Sequence, residues 1–514
     1  MTATVSTRSG KLEGDDQGGL FVFKGIPFAA PPIGKLRWLA PEKVGSWSGV
    51  RDAQSFGPAS HQNQMMNRAL AAMVINDKQS EDCLYLNVWT PALDAKRRPV
   101  MVWIHGGGFT IGAGSQGIYD GSVLTRRGDV VIVSVNYRLG PLGFLRLADI
   151  TNGRIPSTGC EGMLDQVAAL AWVRDNIAEF GGDPDNVTIF GESAGGMSVG
   201  TLLAMPTARS LFHKAIPQSG ACHTGAPIAR ANRVAERVLS KLKVAPTNAD
   251  SLRALTPADL LTGTLLPDGK TPDPELGMAY QPVIDGTHLP QAAIELVANG
   301  SASNVAVMVG STLEEWKLFA MMDPNLRKLD RAGLGARISR RLTPESADAI
   351  IDTYEKARAH RGDPTAPAEL FSAIETDRVF RIPGVRLAEV QVRHEPRVFS
   401  YLFSWKSPAM GGALGSSHAL ELGFVFGTNH LPGMSSFSGT GAAAEKLAAQ
   451  MQDAWLSFAR SGDPSCASIG TWSPYTEARR ATMVFSETTK LEDAPYDDER
   501  RAWVAIPGRI LGTL

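Results

Sequence analysis

Four cysteines in 514 residues (Cys83, Cys160, Cys222 and Cys466) are few and widely scattered. They form neither a metal-ligand spacing nor a disulfide framework, which favours a reducing, cytoplasmic setting. Charge of one sign is also missing. The 51 Lys and Arg residues against 52 Asp and Glu leave a net charge of −1, which argues against nucleic acid or an anionic membrane surface as the main partner. No apolar run approaches the roughly 18–20 residues that cross a bilayer. The stretch Met1 to Gly10 has no basic head followed by an apolar segment, so no secretion signal is expected there. Linkers, repeats and charge blocks are absent too. Length alone would suggest roughly three domains of about 150 residues, but with nothing to separate them the expectation is one domain over 1–514.

What is present is a chain with 43% hydrophobic residues, ample for a large core. Apolar, β-branched runs at 99–104, 130–135, 186–190, 214–216, 305–309, 398–405 and 482–485 read as buried strands. Helical patterns at 164–177, 228–243, 327–360 and 442–460 lie among them. Strand–helix alternation over most of the length predicts an α/β fold around a mostly parallel central sheet. Residues 20–41, with several prolines and glycines, read as an extended, rigid segment, and 60–80 as a polar surface excursion.

The strand at 186–190 runs into Gly191-Glu192-Ser193-Ala194-Gly195, and small residues after it continue as a helix. Strand, sharp Gly-x-Ser-x-Gly turn and helix make a nucleophile elbow, which thrusts the Ser193 hydroxyl out of the sheet. Acyl transfer on serine further needs oxyanion donors, a base and an acid that orients the base. His105-Gly106-Gly107-Gly108-Phe109 follows the strand ending at Ile104. Its uncovered N–H groups at Gly107 and Gly108, with that of Ala194, are the candidate oxyanion hole. Of nine histidines, His418 lies downstream in a loop of small residues after the strand 398–405, with His430 as a rival. The acid is expected after the strand 305–309, where the adjacent Glu314 and Glu315 both qualify. An imidazole base gives a rate that rises with pH through about 6–7.

At this point the chain closely resembles the type-B carboxylesterase family, the carboxylesterase and cholinesterase branch of the α/β-hydrolases. The likeness is carried by Phe180-Gly181-Gly182-Asp183-Pro184 with Gly191 to Gly196, and by Glu81-Asp82-Cys83-Leu84-Tyr85-Leu86-Asn87-Val88-Trp89-Thr90-Pro91. Phe23 to Pro32, Asn136 to Gly140, Gln281 to Gly286 and Gly423 to Gly427 extend it across most of the chain. The resemblance implies an α/β-hydrolase fold and a serine esterase of small-molecule esters, acting without metal or cofactor. It places the acid on Glu315 and the base on His418, and makes Glu192, Ser219 and Glu421 a buried polar support.

The chain departs from the family in several places. Trp316 stands where glycine usually follows the acid, which implies a bulkier wall. No cysteine precedes Cys83 to pair with it, as one does in secreted animal members, and residues 60–80 lack the tryptophan on which cholinesterases stack choline. Carbamate, lactone, thioester or amide cleavage would use the same chemistry, and a non-catalytic binding protein on this scaffold is the other class. Met65, Met66, Met73, Phe319, Met321 and Met322 are candidates for an apolar pocket. The sequence carries no mark of oligomeric state, and a monomer is compatible with it.

Overall fold

The computed structural model describes residues 1–63, 78–266, 273 and 276–512. Met65, Met66 and Met73 lie outside the described residues. A single large sheet takes thirteen strands from both ends of the chain. They are β1 (Thr2–Ser6), β2 (Lys11–Asp16), β3 (Phe21–Pro27), β4 (Val50–Asp52), β5 (Tyr85–Thr90), β6 (Arg98–Ile104), β7 (Val131–Val135), β8 (Gly182–Glu192) and β9 (Lys214–Gln218). A separate two-stranded pair, β10 (Ala226–Pro227) and β11 (Val283–Ile284), comes next, then β12 (Ala306–Thr312), β13 (Val398–Phe403), β14 (Ala481–Phe485) and β15 (Lys490–Asp493) complete the large sheet. Their order is β1-β2-β3-β5-β7-β6-β8-β9-β12-β13-β14-β15, with β4 alongside β2.

The strands from β7 to β14 in that order are parallel, and antiparallel strands close both edges. Helices cover both faces, so the parallel strands bury side chains on each side with a period of two. On β6, Val100, Val102 and Ile104 enter one core, and Met101 and Trp103 enter the other. On β7, Val131, Val133 and Val135 oppose Ile132 in the same way. Trp103 packs within about 5 Å of Tyr119, Phe190 and Phe426, which locks the helix Leu422–Phe426 onto the second face.

All seven expected strands are present, each within a few residues of its expected bounds. The helix expected over 327–360 is divided into Arg331–Ile338 and Pro344–Arg361. Pro344 cannot continue a preceding helix, and the Thr343 hydroxyl accepts from Ser346 N to start a new one. The segment 20–41 is extended through β3 and holds one short 3₁₀ turn at Gly34–Leu36. Among the described residues no helix is long and apolar enough to cross a membrane, and all four cysteines are free.

The loop after β7 is pinned by a buried ion pair. Arg138 donates from Nε and Nη2 to the two carboxylate oxygens of Asp165 at 2.8 and 2.7 Å, and its backbone N–H adds a third bond at 3.0 Å. Both side chains are almost wholly out of solvent. Asp165→Asn would leave a buried guanidinium facing a neutral amide, at a cost of about 3–5 kcal/mol. Urea unfolding followed by tryptophan fluorescence should show a clearly lower midpoint, and an unchanged midpoint would refute this role for the pair.

Candidate active site

Four loops converge at the carboxyl ends of neighbouring parallel strands, where open α/β sheets bind their ligands. The Gly106–Gly108 loop follows β6, Ser193 follows β8, Glu315 follows β12 and His418 follows β13. Ser193 itself has φ 57° and ψ −125°, between β8 and the helix Ala194–Leu202. The flanking glycines are required by close approach. A Cβ on Gly191 would stand 2.6 Å from Ile104 O, and one on Gly195 would collide with that same oxygen. The end of β6 therefore leaves no room beside the serine for any larger residue.

The glycine loop lies directly against the elbow. A Cβ added to Gly106 would stand 3.0 Å from Ser193 Cβ and 3.2 Å from Glu192 Oε2. Gly107 and Gly108 have φ of 107° and 60°, backbone that L side chains resist. Their N–H groups, and that of Ala194 at the helix start, have no acceptor among the described residues. His105 props the loop from below. It stacks on Tyr137 at 4.5 Å, its Nδ1 meets Gly106 O at 2.8 Å, and burial lowers its pKa to about 4.

Glu315 is fully buried at the start of the helix Trp316–Ala320. Its Oε1 accepts from Thr312 N at 2.7 Å, and its Oε2 meets His418 Nδ1 at 2.5 Å. Glu314, the other half of the pair, turns to Ser416 N and Lys317. His430 is exposed, whereas His418 is buried. His418 Nε2 stands 3.1 Å from Glu192 Oε1. It makes no hydrogen bond to Ser193 Oγ, a looseness common in unliganded sites.

Glu421 completes a set of three buried carboxylates around this imidazole, and its Oε1 accepts from Gln218 Nε2 at 3.3 Å. Ser219 is also fully buried, its N–H bonded to Gly310 O at 2.8 Å. Burial opposes the His418 cation, but Glu192, Glu315 and Glu421 outweigh it and hold the imidazole up at about 9. Burial pushes Glu192 and Glu421 above the usual carboxylate range; repulsion from Glu315 adds to both shifts, and repulsion from Glu192 adds to that of Glu421. Glu192 and Glu421 therefore do not titrate independently of the imidazole between them.

Of the two side chains that wall this cluster, the sequence marked Phe319 as a pocket candidate but gave no sign of Phe380. Phe380 and Phe319 lie with their rings 4.8 and 5.1 Å from the His418 ring and stack on each other at 5.9 Å. Phe380 belongs to a π-helical turn, Asp377–Arg381, between two α-helices; no spacing rule marks such a turn in the sequence. Gln218 was missed as well. Gln218 precedes Ser219 on β9, and its Oε1 accepts from Trp455 Nε1 at 3.0 Å. Trp316 stands behind Phe319 at 5.0 Å and reaches Phe371 at 6.3 Å, so it thickens the wall as expected. Met321 and Met322 are mostly exposed.

Comparison with known proteins identifies the family. A model of the Carboxylesterase family matches residues 1–503. The chain is 38% identical to the para-nitrobenzyl esterase of Bacillus subtilis (strain 168), over 97% of each chain. It is 34% identical to the phenmedipham hydrolase of Pseudarthrobacter oxydans, over 94% of each. The crystal structure of the Geobacillus stearothermophilus carboxylesterase EST55 at pH 6.2 superposes with a TM-score of 0.87 at 41% identity, covering 97% of this chain and 99% of that one. An elbow serine, a buried glutamate–histidine pair and a match of this extent lead to one assignment: the chain belongs to the carboxylesterase family, serine hydrolases of carboxylic esters with the α/β-hydrolase fold.

Proposed function

We propose that Ser193 is the nucleophile, His418 the general base and Glu315 the acid that orients it, within a single catalytic domain over 1–514. The observation that carries this reading is the 2.5 Å contact between His418 Nδ1 and Glu315 Oε2, buried beside the elbow. With Nδ1–H committed to Glu315, Nε2 is the nitrogen left to take a proton. Ser193 Oγ attacks the ester carbonyl as its proton passes to Nε2. The tetrahedral oxyanion accepts from the N–H groups of Gly107, Gly108 and Ala194. His418 then protonates the leaving alcohol, and water attacks the acyl-enzyme by the same route to release the acid and free Ser193. Glu192, Ser219 and Glu421 form the polar support behind the imidazole, with Glu192 and Glu421 favouring the imidazolium that forms during transfer.

Phe319 and Phe380 form an apolar, rigid wall beside the base, which suits the non-reacting part of a small-molecule ester. Four free thiols, three of them buried, support a cytoplasmic setting.

Three outcomes test this reading. Ser193→Ala should lower p-nitrophenyl ester hydrolysis by about four to six orders of magnitude, and an organophosphate should label Ser193 alone. Substantial turnover by the variant, or an adduct elsewhere, would remove the assignment. Because the base must be neutral and its pKa is raised to about 9, the rate should climb with pH through the alkaline range rather than level off near 7. Glu192→Gln removes one of the charges that raise it, the one at Nε2, so the limb should move to lower pH, and an unmoved limb would disprove the coupling. Finally, Phe380→Ala should raise kcat/KM for bulky-acyl esters relative to acetate, by about tenfold if one to two kcal/mol of crowding is relieved. An unchanged ratio would place the acyl group elsewhere.

A further inference from the structure

Glu314 has no part in the proton path described above, yet both oxygens of its carboxylate are held. It sits between the two loops that carry Glu315 and His418. Its backbone N–H donates to Ser416 O at 2.9 Å, and its Oε2 accepts from Ser416 N at 2.8 Å. The two residues therefore grip each other through both polar groups of the Ser416 backbone. Ser416 is fully buried, and its hydroxyl donates to Phe403 O at the end of β13 at 2.7 Å. Lys317 Nζ pairs with Glu314 Oε1 at 2.7 Å and reaches Glu369 at 3.5 Å, on the helix Pro367–Thr376 that leads into the turn carrying Phe380. That helix also accepts Trp316 N at Thr376 Oγ1, 3.0 Å away.

The residue before Ser416 is shaped around this contact. Gly415 has φ 52°, and any Cβ there would collide with the Glu314 carboxylate. His418 lies two residues further on, and its own N–H reaches Glu315 O at a loose 3.4 Å. The strong ties between the acid loop and the histidine loop are thus the His418–Glu315 side-chain bond itself and the Glu314–Ser416 clamp.

We propose that Glu314 is a positioning residue: by fixing the backbone at Ser416, it sets the direction in which His418 Nδ1 meets Glu315. The clamp works because a carboxylate accepting a buried N–H makes a short, charge-assisted bond, and Lys317 neutralises its other oxygen. Without the carboxylate, Ser416 keeps its hydroxyl bond to Phe403 O and its carbonyl bond to Glu314 N, but its own N–H loses its acceptor, and the His418–Glu315 bond becomes the one side-chain tie between the two loops. This inference rests on the proposed base and acid.

The test compares Glu314→Ala and Glu314→Gln, with kcat expressed per site titrated by an organophosphate. Glu314→Ala should lower kcat by about ten- to a hundredfold, the scale of a small misplacement of a catalytic group, with KM nearly unchanged. Its pH–rate limb should also move to lower pH, because the imidazolium loses alignment with Glu315. Glu314→Gln keeps a neutral acceptor for Ser416 N–H and should stay within about threefold of the parent. A folded Glu314→Ala with unchanged kcat and limb overturns the proposal, as does a change confined to KM. Equal losses in the Ala and Gln variants overturn it too. Should Glu314→Ala fail to fold, Lys317→Met loosens the same carboxylate from outside, and an unchanged kcat and limb there is equally fatal. His418→Ala, measured alongside, separates the two readings. Retained turnover by it removes the base assignment, whereas its inactivity beside an unaffected Glu314→Ala defeats only the clamp.

Discussion

The backbone of Ser193, at φ 57° and ψ −125°, is the constraint on which the site depends. A non-glycine residue in that region costs of the order of 1–3 kcal/mol and persists only where the surroundings over-determine it. Here they do. Ser193 N donates to Gln218 O on β9 at 3.0 Å, and Met197 N donates back to Ser193 O at 2.8 Å. On the other side Ile104 O presses on Gly191 and Gly195. The serine is therefore held between β6 and β9, and those strands also aim the glycine loop and Ser219.

A second constraint is electrostatic. Three carboxylates, Glu192, Glu315 and Glu421, are buried around one imidazole. Burying so much acid is unfavourable unless it is paired or protonated. The upward shifts of Glu192, Glu421 and His418 are three expressions of that one tension. Such an environment favours a cation on His418, which is what the proposed proton transfer from Ser193 requires. The same carboxylates also hold the His418 imidazole protonated to higher pH.

Much of the fold was legible because parallel strands buried on both faces are written as continuous β-branched runs. Val131-Ile132-Val133-Ser134-Val135 and Ala306-Val307-Met308-Val309 are such runs. The strands nearest the N-terminus were not legible. Lys11–Asp16 carries charges and a glycine in a partly exposed strand, and only pairing with its neighbours makes it one. The break before Pro344 had a local signal in Thr343-Pro344, outweighed by helical spacing on either side. The π turn at Asp377–Arg381 had none.

At the site, local chemistry determined what the sequence alone could determine. A serine between glycines after a strand, and three glycines after another, require backbone conformations that few other residues adopt, so their meaning survives without neighbours. The choice between Glu314 and Glu315 is of another kind. Both residues follow the same strand and carry the same group, and spacing leaves them equal; resemblance favoured Glu315. Only the tertiary structure separates them by geometry, turning one carboxylate inward to His418 and the other to Ser416 and Lys317. Direction at a strand's end is set by what packs against it, from segments some hundred residues away.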